Sequence, residues 1–441
     1  MNDISAGYKQ TEVGVIPEDW KSPTVRGLAS SARNAIVGGP FGSDLVSRDY
    51  VEHGVPVIRG QNMSGQWVSG NFVFVTPAKA KSLEANLARP GDIVFTQRGT
   101  LGQVSLVPEK PFESYLVSQS QMKLSVNREV ADPLFFFYVF TSEKQQELIR
   151  GGTIQTGVPH INLGILRGIP VQLPPLPEQR AIAGALSDVD ALIGALESAL
   201  AKKRDLKQAA MQQLLTGQKR LRGFHDEWEV RTLGDLFTFS GGFSASRDQL
   251  SSEGHCYLHY GDIHKSSKTF IDVRSDYQDI PKLDIPLNRV SPVSLLEDGD
   301  VVFVDASEDD EGTSRHVVIV NKDKTHFISG LHTIVAKSKT NELDHQYRRY
   351  CFQTTAIKRQ FYFYAVGTKV SGISKTNITK LTLPVPPLPE QTAIAEVLSD
   401  MDAELAALTQ RRDKTSVLKQ GMIQELLTGR VRLTKLKIEN G

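Results

Sequence analysis

Pro-Leu-Pro-Glu-Gln, at residues 175–179, is the stretch that decides the fold, because the same five residues return at 387–391, 212 positions later. The copies stay in register without a gap, since Leu-Leu-Thr-Gly at 214–217 returns at 426–429. A globular-sized segment precedes each copy. The duplication therefore predicts a two-fold object built from one chain.

Each copy has the features of a helix that begins near Pro177 or Glu178, because proline is tolerated in a first turn and a glutamate there complements the helix dipole. Apolar residues then alternate in steps of four and three, as in a coiled-coil seam. They are Ile182, Leu186, Val189, Ile193, Leu196 and Leu200 in the first copy, and Ile394, Leu398, Met401, Leu405 and Leu408 in the second. The helix from Glu178 to Leu215 would be roughly 57 Å long.

Polar residues interrupt both seams at related places. They are Lys203 and Lys207 in one copy and Arg412, Thr415 and Lys419 in the other. Polar seam positions specify pairing at some cost in stability, so we expect the two helices to pair in a defined register as an antiparallel coiled coil. The alternative is that each helix packs only against its own domain. Gly217 and Gly429 stand where a helix C-cap glycine is expected.

The bulk composition sets loose limits. The chain has 441 residues, 51 basic and 50 acidic, so its net charge of +1 does not indicate a nucleic-acid binder. Cys256 and Cys351 are the only cysteines, which excludes a disulfide framework and suits a reducing compartment. The longest apolar run, at 134–140, is too short to span a bilayer, and residues 1–7 lack a signal-peptide pattern. We expect a cytoplasmic protein without a membrane segment.

The segments before the helices have short β-branched and aromatic runs bounded by turn residues, which predict strands at 55–59, 93–97, 301–304 and 316–320. Amphipathic stretches at 132–150 and 347–362 are predicted to be helical. The fold class is therefore predicted as α+β, with two mixed α/β domains in a pseudo-two-fold repeat joined by two long helices. Trp20 and Trp228, 208 positions apart, are expected to anchor the two domain cores. The predicted boundaries are domain 1 at 1–173, helical spacer 1 at 174–217, domain 2 at 218–385, helical spacer 2 at 386–434 and a tail at 435–441.

The usual catalytic signatures are missing from the sequence. It contains no GxxxxGK[ST] phosphate loop, no HExxH motif and no cysteine–histidine cluster. His255, Cys256, His259 and His264 form a candidate metal group, for which a polar loop or strand is the preferred interpretation. The acidic run 307–312 is interpreted as a solvated loop rather than a calcium site. A catalyst that works alone is therefore not expected.

These residues carry a specific resemblance. The chain resembles the DNA-specificity subunits of type I restriction-modification systems, through the doubled Pro-Glu-Gln helices, the doubled Leu-Leu-Thr-Gly and the opening segment 7–20. The resemblance covers essentially the whole chain. It implies two target-recognition domains that each read one half of a split DNA sequence, with the paired helices as a ruler between them.

The resemblance also implies partners and cofactors. Two modification subunits would carry S-adenosylmethionine and methylate adenine, while restriction subunits that join the complex would supply ATP- and Mg-dependent translocation and cleavage. No cofactor is expected in this chain itself. The conserved-region segments are expected to touch the modification subunits, through Pro175, Leu176, Pro177, Glu178, Gln179, Pro387, Leu388, Pro389, Glu390 and Gln391.

Candidate DNA-binding residues are polar side chains in loops beside strands, since bidentate contacts to base edges need arginine, glutamine or asparagine. In the first domain they are Phe41, Ser43, Arg59, Gln61, Asn62, Gln97, Arg98 and Thr100. In the second domain the matching places hold His259, Tyr260, Asp262, Asp305 and Ser307, with Lys369 and Lys375 as phosphate-binding candidates. The charge differs between the domains, since residues 1–173 carry 16 basic and 15 acidic groups whereas 223–385 carry 19 and 22.

Two other functions stay open at this point. A coiled-coil adaptor with two protein-binding modules would suit the near-neutral charge and the acidic second domain. A fused restriction enzyme that acts alone is disfavoured by the missing signatures.

Overall fold

The computed structural model describes residues 6–154, 159–264, 268–307, 314–365 and 371–433, without the side chains of Ala306, Ser307 and Ser371. The chain divides into two compact units. Unit 1 consists of residues 1–196 and 411–441, and unit 2 consists of residues 197–410. Each unit thus takes one globular segment and parts of two long helices.

The helices are numbered in chain order. They are α1 Val25–Leu28, α2 Pro77–Ser82, α3 Pro133–Thr141, α4 Glu143–Gly151, α5 Leu163–Gly168, α6 Leu176–Leu214, α7 Leu233–Leu236, α8 Tyr260–His264, α9 Arg348–Cys351, α10 Thr355–Tyr364, α11 Lys375–Ile378 and α12 Leu388–Leu426. Short 3-10 helices lie at Gly42–Asp44, Ser47–Asp49, Gly60–Asn62, Glu84–Asn86, Arg247–Gln249, Leu287–Arg289 and Pro292–Ser294. In the part of the chain that the structure describes, no helix is both long enough and apolar enough to cross a membrane.

Unit 1 is built on a five-stranded mixed sheet and a four-stranded antiparallel sheet. Its strands are β1 Tyr8–Thr11, β2 Gly14–Pro17, β3 Ile36–Gly38, β4 Tyr50–Val51, β5 Val55–Ile58, β6 Val73–Val75, β7 Leu87–Ala88, β8 Ile93–Thr96, β9 Val104–Leu106, β10 Tyr115–Val117 and β11 Gln121–Leu124. The sheet orders are β4-β6-β5-β10-β7 and β3-β11-β8-β9, beside a small β1-β2 hairpin. Every residue of β8, β9, β10 and β11 is buried, which places the core around these strands.

Unit 2 repeats this plan. Its strands are β12 Glu229–Thr232, β13 Phe237–Gly241, β14 Leu250–Ser251, β15 His255–Leu258, β16 Phe270–Asp272, β17 Lys282–Leu283, β18 Val301–Val304, β19 Ala306–Ser307, β20 His316–Val320, β21 Phe327–Ser329, β22 Thr333–Ser338, β23 Ser371–Gly372 and β24 Thr382–Val385. The sheet orders are β13-β22-β18-β20-β16 and β14-β17-β15-β21, with the pairs β12-β24 and β19-β23. In both units a parallel pair joins the matching strands, β5 to β10 and β15 to β21.

The two amphipathic stretches are helical, as predicted, but each is interrupted. The stretch 132–150 forms α3 and α4, because Ser142 is extended, with ψ of 146°. The stretch 347–362 forms α9 and α10, because Thr354 is extended and its hydroxyl accepts a hydrogen bond from the backbone N–H of Ile357 as an N-cap. A side-chain N-cap therefore sets the boundary at Thr354, whereas the boundary at Ser142 is set by its extended backbone without a side-chain cap.

The two long helices are each 39 residues long, or about 58 Å, and run antiparallel. In unit 2, Lys203 of α6 pairs with Glu404 of α12 and Lys207 pairs with Asp402, so the contacts advance in opposite directions along the two helices. Gly217 and Gly429 follow the helix ends with φ of 70° and 71°, as the sequence predicts for C-cap glycines.

A Lys–Asp–Tyr cluster repeats where the long helices pair. In unit 2 the Nζ of Lys207 lies 2.5 Å from Asp402 Oδ1, and the hydroxyl of Tyr350 donates to Asp402 Oδ2 at 2.9 Å. Unit 1 makes the same contacts with residues 212 positions removed, namely Lys419, Asp190 and Tyr138. The seam lysines therefore have a defined partner, which explains why polar residues interrupt both seams.

Candidate nucleic-acid interface

The repeated glutamate, Glu178 in unit 1 and Glu390 in unit 2, binds a tryptophan and an arginine of the same unit, and we call each group a Glu–Trp–Arg closure. In unit 1 the carboxylate of Glu178 accepts hydrogen bonds from Trp20 Nε1 at 3.1 Å and from the guanidinium of Arg432 at 2.7 and 2.8 Å. Trp20 is fully buried and Arg432 also bonds Asp19. Hydrogen bonds to these two carboxylates raise the pKa of Arg432 above its ordinary value. The tryptophan thus anchors the core, as predicted.

Unit 2 repeats this arrangement with Glu390, Trp228 and Arg220. Trp228 Nε1 donates to Glu390 Oε2 at 2.9 Å, and Arg220 donates to both carboxylate oxygens at 2.5 Å. The hydrogen bonds to Glu390 raise the pKa of Arg220. In each unit the arginine follows the C-terminal end of a long helix, whereas the glutamate begins the other long helix.

The repeated glutamine ties each long helix to its own unit. Gln179 Oε1 accepts from the backbone N–H of Asp132 at 2.9 Å, and its Nε2 donates to the carbonyls of Val130 and Pro174. Gln391 makes the equivalent three bonds, to Asp344, Glu342 and Pro386. Both glutamines are fully buried. Their side chains hold the helix start in place.

This burial corrects part of the predicted partner-binding set. The side chains of Glu178, Gln179, Glu390 and Gln391 point into their own units, so direct contact with another protein does not fit the geometry. For the other residues of the repeat, partner contact stays a prediction. Pro175, Pro177, Leu388 and Pro389 are exposed, and Leu176 and Pro387 are half-buried.

Four loops converge at one edge of unit 1, and we call this group the loop edge of unit 1. They are 39–45, 59–62, 97–103 and 118–121. The last loop links the others, because Ser118 N donates to Ile58 O, Gly39 N donates to Gln121 O and Gln97 N donates to Ser120 O, at 3.1, 2.9 and 2.7 Å. Gln119 also donates to the carbonyls of Gly42 and Leu45.

The exposed side chains on this edge are those that can meet a ligand. Phe41 is 79% exposed, and Ser43, Gln61, Arg98 and Thr100 are also exposed. The sequence analysis named all five as DNA-binding candidates, and the fold brings their loops together. Arg59 lies half-buried among them.

Two other DNA-binding candidates of unit 1, Asn62 and Gln97, pack against the loops of their own unit. Asn62 is fully buried; its Oδ1 accepts from the N–H of Arg59 and its Nδ2 donates to the carbonyls of Ser69 and Asn71. Base contact by Asn62 is therefore incompatible with this geometry, since its amide is already satisfied. Gln97 is half-buried and lies against Gly38, so it is less available than Arg98.

Unit 2 has the same loop edge, formed by 242–247, 259–264, 305–307 and 330–332. Gly330 N donates to Leu258 O at 2.9 Å and Asp305 N donates to His332 O at 3.2 Å, which match the bonds of Ser118 N and Gln97 N in unit 1. Glycine is required where the first of these loops passes the backbone of the last one. A Cβ on Gly39 would lie 1.8 Å from Ser118 O, and one on Gly242 would lie 1.8 Å from Gly330 O.

The side chains on the loop edge of unit 2 pair with one another. Arg247 lies 3.3 Å from Asp262, and His332 Nδ1 lies 3.3 Å from Asp305. The rings of His259 and Tyr260 are 4.6 Å apart, and those of Tyr260 and His332 are 5.5 Å apart. Burial, followed by the charge of Arg247, lowers the pKa of His259. Cations on this edge are therefore largely offset by carboxylates.

The remaining candidates of unit 2 fall at its margin. Lys375 is exposed at the start of α11, and its Nζ lies close to Gly241 at the end of β13. The side chain of Ser307 and the whole of Lys369 lie outside the described residues. The described residues contain no group of three or more His, Cys, Asp or Glu side chains that could hold a metal ion.

Sequence reasoning missed three residues of the two edges. They are Gln119, Arg247 and His332. Gln119 lies in a Ser-Gln-Ser-Gln run between two strands, a polar signal that was available in the sequence. Arg247 and His332 join the edge through loops that only the sheet topology brings together.

Comparison with known proteins agrees with this geometry. The model of the type I restriction modification DNA specificity domain matches twice, at residues 17–203 and 225–417. A putative type I restriction enzyme MjaX specificity subunit from Methanocaldococcus jannaschii is 24% identical over 444 residues, covering 97% of each chain. The MjaVIII specificity subunit of the same organism is 24% identical over 337 residues, covering 73% of this chain and 75% of that one.

Solved structures show the same fold. The type I restriction-modification S subunit from M. genitalium aligns with a TM-score of 0.55 and 16% identity, covering 92% of this chain and 96% of that one. A chain from a study of complex assembly and conformational transition of the type I R-M system aligns with a TM-score of 0.53 and 15% identity, covering 94% and 99%. Two specificity domains, two equivalent loop edges and two paired long helices lead to one conclusion: this chain belongs to the family of type I restriction-modification DNA specificity subunits.

Proposed function

We propose that this chain binds duplex DNA through its two loop edges, each reading one half of a two-part sequence. The observation that carries this proposal is the repetition of one loop framework with different side chains. The bond from Ser118 N to Ile58 O recurs from Gly330 N to Leu258 O, whereas the residues that follow these two carbonyls differ, Arg59 in unit 1 and His259 in unit 2. A repeated scaffold with unlike surfaces suits two readers of unlike targets, and major grooves on one DNA face recur about every 34 Å.

The chain supplies recognition, and its partners supply the chemistry. S-adenosylmethionine belongs to two modification subunits that methylate adenine, and ATP with Mg²⁺ belongs to restriction subunits where these join. The exposed prolines and leucines of the repeats, such as Pro177 and Leu388, are the proposed contacts for the modification subunits. Because the net charge of this chain is only +1, the partners also contribute phosphate contacts.

The paired long helices set the number of base pairs left unread between the half-sites. Their length of 39 residues each and the repeated Lys–Asp–Tyr cluster, which fixes the pairing in both units, support this role. A helix rises about 1.5 Å per residue, so the number of residues in the long helices determines how many base pairs separate the two half-sites.

Methylation mapping of the complex with its modification partner tests recognition. We expect methylated adenines within one two-part sequence, and retardation of that duplex, but not of a scrambled duplex, at moderate salt. Equal affinity for both duplexes would contradict the proposal. Stable complexes with protein partners but no DNA retardation would favour the adaptor function, and methylation by this chain alone would favour a self-sufficient enzyme.

A length change tests the ruler. Adding about four residues, one helical turn, near the midpoint of both long helices is expected to change the unread spacer and leave each half-site intact. Altered half-sites with an unchanged spacer would exclude this role of the helices.

A further inference from the structure

Arg59 begins the loop that follows β5, and its backbone is firmly held. Its N–H donates to Asn62 Oδ1 at 3.1 Å, and Asn62 is in turn fixed by the carbonyls of Ser69 and Asn71 at 3.0 Å each. The preceding residue, Ile58, is fully buried in the sheet. The side chain of Arg59 therefore starts from a rigid position on the loop edge of unit 1.

The guanidinium of Arg59 has no protein partner. Within the described residues it makes no hydrogen bond or ion pair, and its Nε is enclosed without an acceptor. Arginines that close the units behave differently, since Arg220 and Arg432 each bind a buried carboxylate. An enclosed Nε without an acceptor costs free energy, and a ligand that offers acceptors to this guanidinium would offset that cost.

We propose that Arg59 is a specificity-determining residue that donates a bidentate pair of hydrogen bonds to a guanine in the half-site read by unit 1. This inference rests on the proposed function. Guanine presents O6 and N7 side by side in the major groove, and the planar fork of arginine matches them. Phosphate contacts suit the exposed Arg98, whereas an arginine whose backbone is held in place suits a base edge.

Unit 2 lacks this donor. The matching position, directly after β15, holds His259, whose Nδ1 accepts from Gly261 N at 3.0 Å and whose ring stacks on Tyr260. The only arginine that the described residues place on the unit 2 edge, Arg247, is paired with Asp262. The guanine contact is thus expected in one half-site and not at the equivalent place of the other.

The test uses the full chain assembled with its modification partner. Arg59→Lys keeps the charge and removes the fork; Arg59→Ala removes both; Arg26→Ala is the control, an exposed arginine outside the loop edge. Methylation of a randomised duplex library gives the preference at each position. Wild type should require guanine at one position, and Arg59→Lys should lose about ten- to hundredfold of that discrimination at this position alone.

Three outcomes are distinguishable. An unchanged preference in Arg59→Lys, or a uniform loss of affinity with a salt slope lowered by about one in Arg59→Ala, overturns the inference in favour of a phosphate contact or no contact. If wild type itself selects no two-part sequence, the proposed function fails instead. Thermal unfolding of each variant excludes a folding defect.

Discussion

The loop edges of the two units share a framework and differ in how their charges are paired. In unit 1, Arg59 has no partner among the described residues and Arg98 is exposed. In unit 2, Arg247 and His332 each lie beside an aspartate. By contrast, the Glu–Trp–Arg closures and the Lys–Asp–Tyr clusters are the same in both units. The repeat therefore keeps the contacts that fold each unit and varies the contacts that are free for a ligand.

The largest effect is expected from breaking a shared closure. Glu390→Ala leaves Arg220 and Trp228 Nε1 without their acceptor. An unsatisfied tryptophan donor costs about 1–3 kcal/mol, and loss of the ion pair with Arg220 adds to this. Glu178→Ala should cost unit 1 a similar amount. Hydrogen exchange of each unit in both variants measures this. Loss of protection below about 1 kcal/mol, or loss in the wrong unit, would show that the closures are not equivalent.

A second effect separates the units by pH. His316 of β20 is buried against Phe303 and Phe352, and burial lowers its pKa to about 4. Above pH about 6.5 the ring is neutral in folded and unfolded chains. As pH falls from about 6.5 to about 4, the unfolded chain takes up a proton that the folded unit refuses, so unit 2 loses roughly 3 kcal/mol of stability.

Chemical denaturation of wild type and His316→Phe between pH 7 and 4 measures that loss. Wild type should lose more stability over this range than the variant, with the change confined to unit 2. Parallel curves for the two proteins would mean that His316 is not responsible.

A smaller and matched effect is expected at the Lys–Asp–Tyr clusters. Burial and the neighbouring aspartate raise the pKa of both Tyr138 and Tyr350, so each hydroxyl stays protonated and donates. Lys207→Met and Lys419→Met should each cost about 1 kcal/mol, with equal coupling to Asp402 and Asp190 in double-mutant cycles. Coupling in one unit only would show that the Lys–Asp–Tyr cluster stabilises that unit and not the other.

The smallest effect concerns salt. Arg98→Ala should lower the slope of log K against log salt by about 0.9, because one phosphate contact is lost. Asp262→Asn should make the decrease of log K with log salt steeper, since it releases Arg247 from its partner so that Arg247 can contact a phosphate. Titration of DNA binding from low to moderate salt measures both, with Arg26→Ala as the unchanged control. Equal slopes for all four proteins would remove the distinction between the edges.

The sequence predicts the repeated parts of this molecule well, because they depend on local patterns. The predicted helix start near Pro177 lies one residue from the observed Leu176, and the predicted strand at 301–304 is observed unchanged. The C-cap conformation of Gly217 follows from its position alone. Seam spacing and proline placement carry this information within a few residues of the element.

The site is less predictable because its residues depend on distant contacts. Asn62 looks like a base-reading amide until the carbonyls of Ser69 and Asn71 fold over it. Glu178 looks available for a partner until Arg432, 254 residues away, binds it. No local pattern reports such contacts, so side-chain chemistry identified the edge but not which residues on it stay free.

One measurement on both loop edges tests whether each edge reads its own half-site. Methylation mapping with the modification partner would use one chain carrying Arg59→Ala and Gln61→Ala, and another carrying His259→Ala and Asp262→Ala. Each chain is predicted to relax only one half-site, and a different one, with the spacer unchanged. If both chains relax the same half-site, or if neither changes the methylated sequence, the two loop edges are not separate readers.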